Sequence, residues 1–391
     1  MKNLNTLFIL TIKGLIFLGT VLFSQNILGQ DRLPKVVKPE KRVSFVPLPF
    51  IAANPTAGFL FGLLPALNFY TADPATTSMS TAMGVALIST NRQIYTSIRS
   101  NAFLKEDRWS VFLDIRYNID NLPTYVLGSH MENPEQDQLF FNSFRFYGTA
   151  LKKYAETRFF YGLGYHYDVV FNIENEDQAQ TSIHQEYQNR LNVSHESYRQ
   201  SGVSLNAMWD SRDNVANPYT GSFSLISWRA FPQLLGSSTN SGQLWLEQRN
   251  YFTLNPNRPR HLLGVWSYAW LTTGGDVPYL FLPGLGFDMF MRSGRPYNFG
   301  RFRGENLVYG ELEWRFPLLA QKDWLGGVVF LNTTTASNRF ENVDLFQYLQ
   351  FGYGGGLRFK IIPKKRVNLG FDFGWGADGA RGYFINLNEV F

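Results

Sequence analysis

Apolar and polar side chains alternate with a period of two residues along several segments of this chain. In residues 109–118, apolar residues occupy one set of alternate positions and mostly polar residues occupy the other. The same alternation runs through residues 307–318, 353–361 and 367–375. Successive side chains of a β-strand point to opposite faces of a sheet, so a period of two indicates strands. We therefore predict strands with one apolar face and one polar face that meets water.

Segments of this kind follow one another along the chain and predict sixteen strands. The predicted strands cover residues 44–52, 57–71, 77–89, 92–104, 107–118, 141–154, 157–172, 197–211, 219–232, 241–255, 260–273, 306–318, 323–335, 347–361, 365–376 and 381–390. Single-chain outer-membrane barrels of bacteria have an even number of antiparallel strands. The predicted fold is therefore all-β, a sixteen-stranded antiparallel transmembrane β-barrel.

The lengths of the predicted connections test this strand count independently. Outer-membrane barrels alternate short periplasmic turns with longer external loops. If the chain enters its first strand from the periplasm, every odd-numbered connection is external. The long connections are the fifth, seventh, eleventh and thirteenth, at residues 119–140, 173–196, 274–305 and 336–346. All four are odd, and a miscounted strand would have broken this parity.

Composition supports a membrane barrel over a soluble enzyme. Aromatic residues make up 16% of the 391 residues, nearly as much as the 17% that are charged. Aromatic side chains form girdles at both membrane interfaces of such barrels. Beyond the N-terminal segment no run of 18 apolar residues occurs, so we expect no transmembrane helix. An aromatic-rich soluble β-sandwich is the alternative that composition leaves open.

The N-terminal segment has the three parts of a secretory signal peptide. Lys2 and Lys13 precede an apolar stretch at residues 14–23, and Gly29 is a small residue at a suitable cleavage position. We predict a cleaved signal at residues 1–29, with a retained helical anchor as the alternative. Residues 30–42 are then a short periplasmic linker, and residues 43–391 form the barrel. The expected location is the outer membrane.

Several kinds of chemistry are not expected from this sequence. The chain has no cysteine, which excludes disulfides, thiolate metal sites and a cysteine nucleophile. Its five histidines do not have metal-ligand spacing, and no nucleophile-elbow, zinc-protease or phosphate-loop motif occurs. The formal net charge of +5 is too small to favour a nucleic-acid partner. We therefore expect no enzyme activity, no metal and no cofactor.

A cluster of turn-forming residues lies at a predicted periplasmic turn. It consists of Asp210, Arg212, Asp213, Asn214, Pro218 and Gly221. Asp and Asn side chains bind nearby backbone groups, while Pro and Gly set the dihedral angles of a turn. An ordinary hairpin turn is as compatible with these residues as a functional role.

The long eleventh connection is rich in arginine and glycine. Its arginines are Arg292, Arg295, Arg301 and Arg303, and its glycines include Gly294, Gly300 and Gly304. The strand that follows carries Glu311 and Glu313 on its polar face. Two later segments, residues 330–334 and 370–374, place Asn332 and Asp372 between aromatic or small residues.

Together these patterns resemble the BamA/TamA-like surface-antigen superfamily of outer-membrane insertases and translocases, most closely in the C-terminal half. The resemblance implies that the arginine-rich connection is a sixth extracellular loop that folds back into the barrel. An arginine at its tip would pair there with carboxylates of the lumen, since guanidinium groups bind carboxylates bidentately.

Two positions depart from the family pattern, one in the loop and one in a later strand. Ser293 follows Arg292 where the family has glycine, so we expect Arg292 to be the inserted residue, with Arg301 or Arg303 as alternatives. Asn332 stands where the family has the aspartate that pairs with the arginine. The replacement partner is expected to be Asp372, or Glu311 with Glu313. A lumenal charge balanced by its neighbours is the plainer interpretation.

Two further expectations concern the ends of the chain. Phe391 resembles the aromatic C-terminal signal by which barrels are themselves assembled, although Glu389 weakens the match. The family usually carries periplasmic POTRA modules, and residues 30–42 are too few to form one. The resemblance therefore implies a short member without POTRA domains.

Three functional hypotheses follow. The first is insertion or translocation of protein or lipid at the outer membrane, in which a weak seam between the first and last strands opens towards lipid. The alternatives are a passive channel or porin, and a structural surface protein. The expected partners are outer-membrane lipid, unfolded outer-membrane proteins or lipids as clients, and the barrel-assembly machinery for the chain's own insertion. A homo-oligomer is also compatible with the sequence, and no single client is indicated.

Overall fold

A computed structural model describes residues 43–54, 56–131, 137–177, 181–215, 217–289, 291–319, 322–363 and 366–391. The predicted signal peptide at residues 1–29 and the predicted linker at residues 30–42 lie outside this part of the chain. Both therefore stay predictions. Within the described ranges, no helix has the length and hydropathy that a membrane span needs.

In these described ranges, sixteen antiparallel strands form a closed barrel, and each pairs with its neighbours in sequence. The strands β1 to β16 are Val43–Asn54, Gly58–Phe69, Ser80–Ser89, Ile94–Phe103, Trp109–Thr124, Asp137–Lys153, Phe159–Asn175, Tyr198–Asp210, Gly221–Phe231, Ser241–Thr253, Leu262–Gly275, Asn306–Pro317, Leu325–Ser337, Gln350–Ile362, Val367–Gly376 and Arg381–Leu387. The predicted all-β, sixteen-stranded architecture is confirmed.

The fifth connection is shorter than predicted. Residues 119–140 were expected to be loop, but β5 and β6 stay paired up to Thr124 opposite Asp137. Leu122 and Leu139 are buried in this extension, where they join an apolar cluster under the external loops. Burial of these side chains stabilises the longer hairpin, because removal of apolar surface from water is favourable.

The seventh connection contains a helix, α1 (Ile183–Arg190), that the strand pattern did not predict. Ser182 caps its N-terminus by accepting a hydrogen bond from the Gln185 backbone, and the Gln185 side chain accepts one from the Ser182 backbone. This reciprocal pair is a capping box. The Ser182 and Gln185 spacing was therefore a local signal for the helix.

The two faces of the barrel wall differ as the alternation predicted, but the inner face is not open to water. On β7, the outward Tyr161, Leu163 and Tyr165 are exposed, while His166 and Asp168 on the inner face are buried. The inner face is covered by protein. Much of that cover comes from loop 6, which we define as residues 276–305 between β11 and β12.

Loop 6 contributes the centre of the lumenal packing. Its buried apolar residues include Tyr279, Leu282, Leu285 and Phe302. They pack with aromatic residues of the strands in two buried clusters. The polar face predicted to meet a wet lumen thus lies against an inserted loop.

The seam between β1 and β16 is the weakest strand junction in the wall. In the described part of the chain, these strands share a single register pair, Ala53 opposite Ile385. By contrast, β1 pairs with β2 along its whole length, from Val43 opposite Phe69 to Asn54 opposite Gly58. The barrel is closed, but one junction closes it with very few backbone hydrogen bonds.

The outward face supplies a test of membrane embedding at Leu205, near the middle of β8. Leu205 is exposed on the barrel exterior. If this face contacts hydrocarbon, Leu205→Arg should lower the free energy of unfolding in lipid vesicles by about 2–4 kcal/mol, because a charge must enter the bilayer. The matched Leu205→Phe variant should change it by less than about 1.5 kcal/mol. Equal effects in urea titrations would argue against a lipid-facing exterior.

Candidate functional site: a charge cluster in the barrel lumen

Loop 6 has a glycine in the left-handed conformation, Gly294, directly before Arg295, whose side chain lies in the lumen. Gly294 has φ 87°, and a Cβ atom there would lie 2.4 Å from Leu285 Cγ. Glycine is the residue that adopts this backbone without steric cost. The Gly294 amide donates to the Tyr309 hydroxyl on β12. The next side chain, Arg295, is 1% exposed and therefore needs partners for its charge.

Three carboxylates surround the Arg295 guanidinium. Nη1 lies 2.5 Å from Oδ2 of Asp372 on β15, and Nη2 lies 2.7 Å from Oε2 of Glu313 on β12. Nη2 also pairs with Glu311. The guanidinium is stacked over the Phe330 ring at 3.8 Å, which adds a cation–π contact. Burial alone lowers the pKa of Arg295, but the three carboxylates raise it well above its ordinary value, so the group stays charged.

Two further arginines extend this arrangement along the wall. Arg358 on β14 pairs with Asp372 and, through Nε at 2.6 Å, with Glu389. Arg315 on β12 donates from Nε to Glu313 at 2.7 Å. We define the lumenal charge cluster by its fully enclosed ionic residues: Arg295, Arg315, Arg358, Glu311, Glu313, Asp372 and Glu389.

Each charge of the cluster touches a charge of opposite sign, which is the condition for keeping ions in a protein interior. Glu389 follows the last strand. Its burial raises its pKa, whereas Arg358 and Arg315 lower it, and the net effect is a lowered pKa. The Tyr309 hydroxyl donates to Glu311 and so satisfies a further carboxylate oxygen. The cluster connects loop 6 to β12, β14, β15 and the segment after β16.

The residue that enters this cluster differs from the one expected. Arg292 was favoured, but its guanidinium donates to backbone carbonyls of Leu387, at 3.1 Å, and Glu389. The geometry assigns the carboxylate contacts to Arg295 instead. The four arginines of the loop are chemically alike, so the sequence around each one does not show which of them reaches the lumenal carboxylates. One available signal was that Arg295 directly follows Gly294.

The two alternative arginines lie against aromatic rings. Arg301 is stacked over Tyr125 at 4.6 Å. Arg303 is stacked over Tyr279 at 4.6 Å and donates to the Tyr279 carbonyl at 3.0 Å. Both help to fix the fold of loop 6. The structure places neither of them on the carboxylates that hold Arg295.

Of the expected partners, Asp372, Glu311 and Glu313 all meet the inserted arginine, whereas Asn332 contacts its backbone. Asn332 Nδ2 donates to the Arg295 carbonyl at 2.6 Å. The amide of Asn332 can donate to a carbonyl oxygen, but unlike an aspartate it adds no negative charge to pair with a guanidinium. The counter-ions of Arg295 are therefore the carboxylates of β12 and β15 and not the residue at position 332.

Sequence reasoning missed the glycines of β14 that make room for the loop. A Cβ atom at Gly352 would lie 2.5 Å from the Arg295 carbonyl oxygen. One at Gly356 would lie 1.9 Å from Asp372 Oδ1. Glycine inside a strand often marks a place where another backbone approaches closely. The alternate glycines at 352, 354 and 356 were the available signal.

The turn motif between β8 and β9 is an ordered rim structure. Asp210 pairs with Arg212 at 2.7 Å, and Asp213 accepts backbone hydrogen bonds from Tyr219 and Thr220. Asp213 also pairs at 2.6 Å with Arg366, which lies between β14 and β15. Its remaining members act locally: Asn214 accepts a hydrogen bond from Asn217, Pro218 is buried, and Gly221 has φ 97°. The motif thus has a structural role in this fold.

The expected last strand at residues 381–390 is wrong at its end. β16 stops at Leu387, and residues 389–391 are buried inside the barrel. Phe391 is 5.4 Å from the Trp266 ring, centroid to centroid, and one of its backbone oxygens accepts from Arg315 Nη2 at 2.8 Å. A role of Phe391 as an assembly signal stays a prediction.

Comparisons with known proteins support this fold. The structure is similar to that of BamA from Haemophilus ducreyi lacking POTRA domains 1-3, with a TM-score of 0.59 and 14% identity over 90% of this chain and 71% of that one. It is also similar to CdiB from Acinetobacter baumannii, with a TM-score of 0.54 and 14% identity over 90% of this chain and 60% of that one. No family model and no curated protein matches the sequence. At this identity the likeness establishes the fold alone, and that fold is the one the sequence resemblance implied.

The cluster makes a stability prediction for Arg295. Arg295→Ala leaves three buried carboxylates without their shared cation, and removal of one partner from a buried ionic group costs about 3–5 kcal/mol. We expect a loss of this size in urea unfolding of the purified barrel. Arg292→Ala, the matched control on the same loop, removes contacts to backbone carbonyls and should cost less. Equal losses for the two variants would contradict the assignment of Arg295 as the central residue.

Proposed function

We propose that this chain is an outer-membrane barrel that assists the insertion or translocation of protein or lipid. The observation that carries the proposal is the combination of a nearly unpaired seam with a wall that is fixed from inside. The proposal concerns a mechanical role in which no bond of the client is broken. The fold shared with BamA and CdiB supports it, while the client itself is part of the proposal.

The seam supplies the moving part of this function. A typical backbone hydrogen bond contributes about 0.5–1.5 kcal/mol net, so a junction with one register pair costs little to open. In the described part of the chain, every other junction has at least seven register pairs to separate. An opening between β1 and β16 would give the lumen a lateral path into the bilayer and would expose a strand edge.

The lumenal charge cluster supplies the fixed part. Its strand residues lie on β12, β14 and β15, all on the β16 side of the seam. On the other side, loop 6 reaches the β1–β2 turn through the Phe299 amide, which donates to Thr56 Oγ1 at 2.9 Å. An ionic network therefore holds loop 6 to the β16 side of the seam, whereas its bond to the β1–β2 turn joins two neutral groups. We infer that β1 and β2 move while β12 to β16 keep their shape.

The seam can be tested with cysteines, because the chain has none of its own. Ala52→Cys with Asn386→Cys places two thiols opposite each other in the Ala53–Ile385 register. Two probes would be used in proteoliposomes: insertion of a urea-unfolded outer-membrane barrel, and transbilayer movement of a fluorescent phospholipid. For each probe on which the unsubstituted protein is active, oxidation should reduce the rate about tenfold or more. Reduction should restore the activity. A tenfold change corresponds to about 1.4 kcal/mol in the barrier.

The matched control is Ile51→Cys with Phe61→Cys, which crosslinks β1 to its full-length partner β2. This crosslink leaves the seam free and should not reduce activity. Undiminished activity of the oxidised 52–386 pair would contradict lateral opening. Absence of activity towards both probes in the unsubstituted protein would contradict the proposed function itself.

Bilayer conductance separates this function from a passive channel. Loop 6 fills the lumen, so the unsubstituted protein should show no large steady currents. Arg295→Ala combined with Asp372→Ala removes a central ion pair of the cluster and should increase the frequency and size of current steps. Large steady currents in the unsubstituted protein would favour the passive channel instead.

A further inference from the structure

Two prolines lie two residues apart on the strand that borders the seam. They are Pro47 and Pro49 on β1. Proline has no backbone N–H and cannot donate to a β-ladder, which is why it occurs on edge strands. Each proline removes one backbone N–H from β1. Whether this weakens pairing with β2 or with β16 depends on which of these strands the peptide group faces.

The opposing residue on β2 settles this orientation. Pro47 lies directly opposite Pro65. Opposing residues in an antiparallel pair alternate between pairs that exchange two N–H···O bonds and pairs that exchange none. Two prolines cannot exchange such bonds, so this is a non-hydrogen-bonded pair. The peptide groups of Pro47, and of Pro49 two residues on, therefore face the seam.

Pro65 has a matching effect on the other side of β2. By the same alternation, its peptide group must face β3. The ladder between β2 and β3 is interrupted there, because its register passes from Leu63 opposite Ala86 directly to Ala66 opposite Met83. Gly84 lies at the gap, where a Cβ atom would be 2.8 Å from the Pro65 ring.

The seam register identifies what the two prolines would meet. If the antiparallel register of Ala53 opposite Ile385 is continued along the seam, Pro49 lies opposite Glu389 and Pro47 lies opposite Phe391. The Asn388 amide donates to the Asn368 carbonyl on β15 at 2.7 Å. In this segment the peptide groups of even-numbered residues therefore point towards β15, and those of odd-numbered residues point towards β1. A continued ladder would leave the carbonyls of Glu389 and Phe391 without donors.

The chain avoids this ladder by turning inward. Asn388 has φ 69°, and residues 389–391 enter the lumen. There Arg292 donates to the Glu389 carbonyl, and Arg315 donates to a backbone oxygen of Phe391 at 2.8 Å. Arg292 also donates to the Leu387 carbonyl at 3.1 Å, so the backbone oxygens that a continued ladder would place opposite Ile51, Pro49 and Pro47 all have donors in the lumen.

The lumen also fits the side chains of this segment. The Glu389 carboxylate binds Arg358 and accepts from Asn368 Nδ2 at 2.5 Å. Phe391 packs among aromatic rings, and a Cβ atom at Gly264 would lie 3.1 Å from its ring. The lumen thus binds the Glu389 and Phe391 side chains, and Val390 between them is also buried in an apolar cluster.

We propose that Pro47 and Pro49 form a stop in the seam, which prevents strand pairing from extending along β1 beyond Ile51 and delivers residues 388–391 to a binding site in the lumen. The bound segment ties loop 6 to the wall through Arg292. As a result, residues 43–49 of β1 stay unpaired on the side that faces β16. This inference concerns the chain's own segment and does not depend on the identity of a client.

The stop can be tested by disulfide trapping at positions 48 and 390, which are opposite each other in the continued seam register. Glu389→Gln first weakens binding of the segment in the lumen by removing the charge that Arg358 holds. In this background the Leu48→Cys and Val390→Cys pair should not crosslink while the prolines are present. Pro47→Val with Pro49→Val restores two donors and should raise the crosslinked-to-free ratio about tenfold or more.

Pro65→Val in the same background is the matched control, because Pro65 faces β3. It should leave the crosslinked fraction unchanged. Equal crosslinking with and without Pro47 and Pro49, or no crosslinking after their replacement, would overturn the stop. An increase after Pro65→Val would overturn it as well.

A second measurement covers the case in which the multiple variant does not fold. Val390→Cys alone, in the otherwise unsubstituted protein, should resist a water-soluble maleimide, since Val390 is 3% exposed. Glu389→Gln should increase its rate of modification severalfold. Rapid modification without the Glu389 substitution would overturn the lumenal binding site.

Discussion

The Arg295 guanidinium lies in the interior of the barrel among Glu311, Glu313 and Asp372. A buried charge is tolerated only when partners of opposite sign replace its hydration. This requirement connects features that are far apart in sequence. It explains why loop 6 folds inward, why β12 and β15 carry acids on their inner faces, and why β14 uses alternate glycines where the loop passes.

The same requirement makes the two flanks of the seam unequal. Ionic contacts accumulate on β12, β14, β15 and the segment after β16, whereas the β1–β2 turn meets the loop through a hydrogen bond between the neutral groups of Phe299 and Thr56. Pro47 and Pro49 add to this difference because they remove donors from the free edge of β1. A closed barrel with one fixed flank and one lightly held flank has a defined place to open, which is the physical basis of the proposed function.

Much of the fold could be predicted from the sequence because strand periodicity is a local property. The alternation in residues 109–118 and the parity of the long connections gave the strand number and order. The end of β16, the extended β5–β6 hairpin and the choice of Arg295 over Arg292 could not be predicted. Each depends on contacts between distant residues, such as Arg315 with Phe391, that leave no periodic signal. Glu389, which weakened the match to an assembly signal, is a lumenal counter-ion.

A double-mutant cycle between Arg295 and Asp372 tests the central claim most directly. The free energies of unfolding of Arg295→Ala, Asp372→Ala and the double variant would be measured in the same lipid vesicles as the unsubstituted barrel. Residues in one buried ionic network show coupling of about 0.5–3 kcal/mol, and independent sites add within about 0.3–0.5 kcal/mol. If the buried ion pair holds loop 6, the coupling should be favourable and about 1–3 kcal/mol, well above the scatter of independent sites. Additive effects would contradict it.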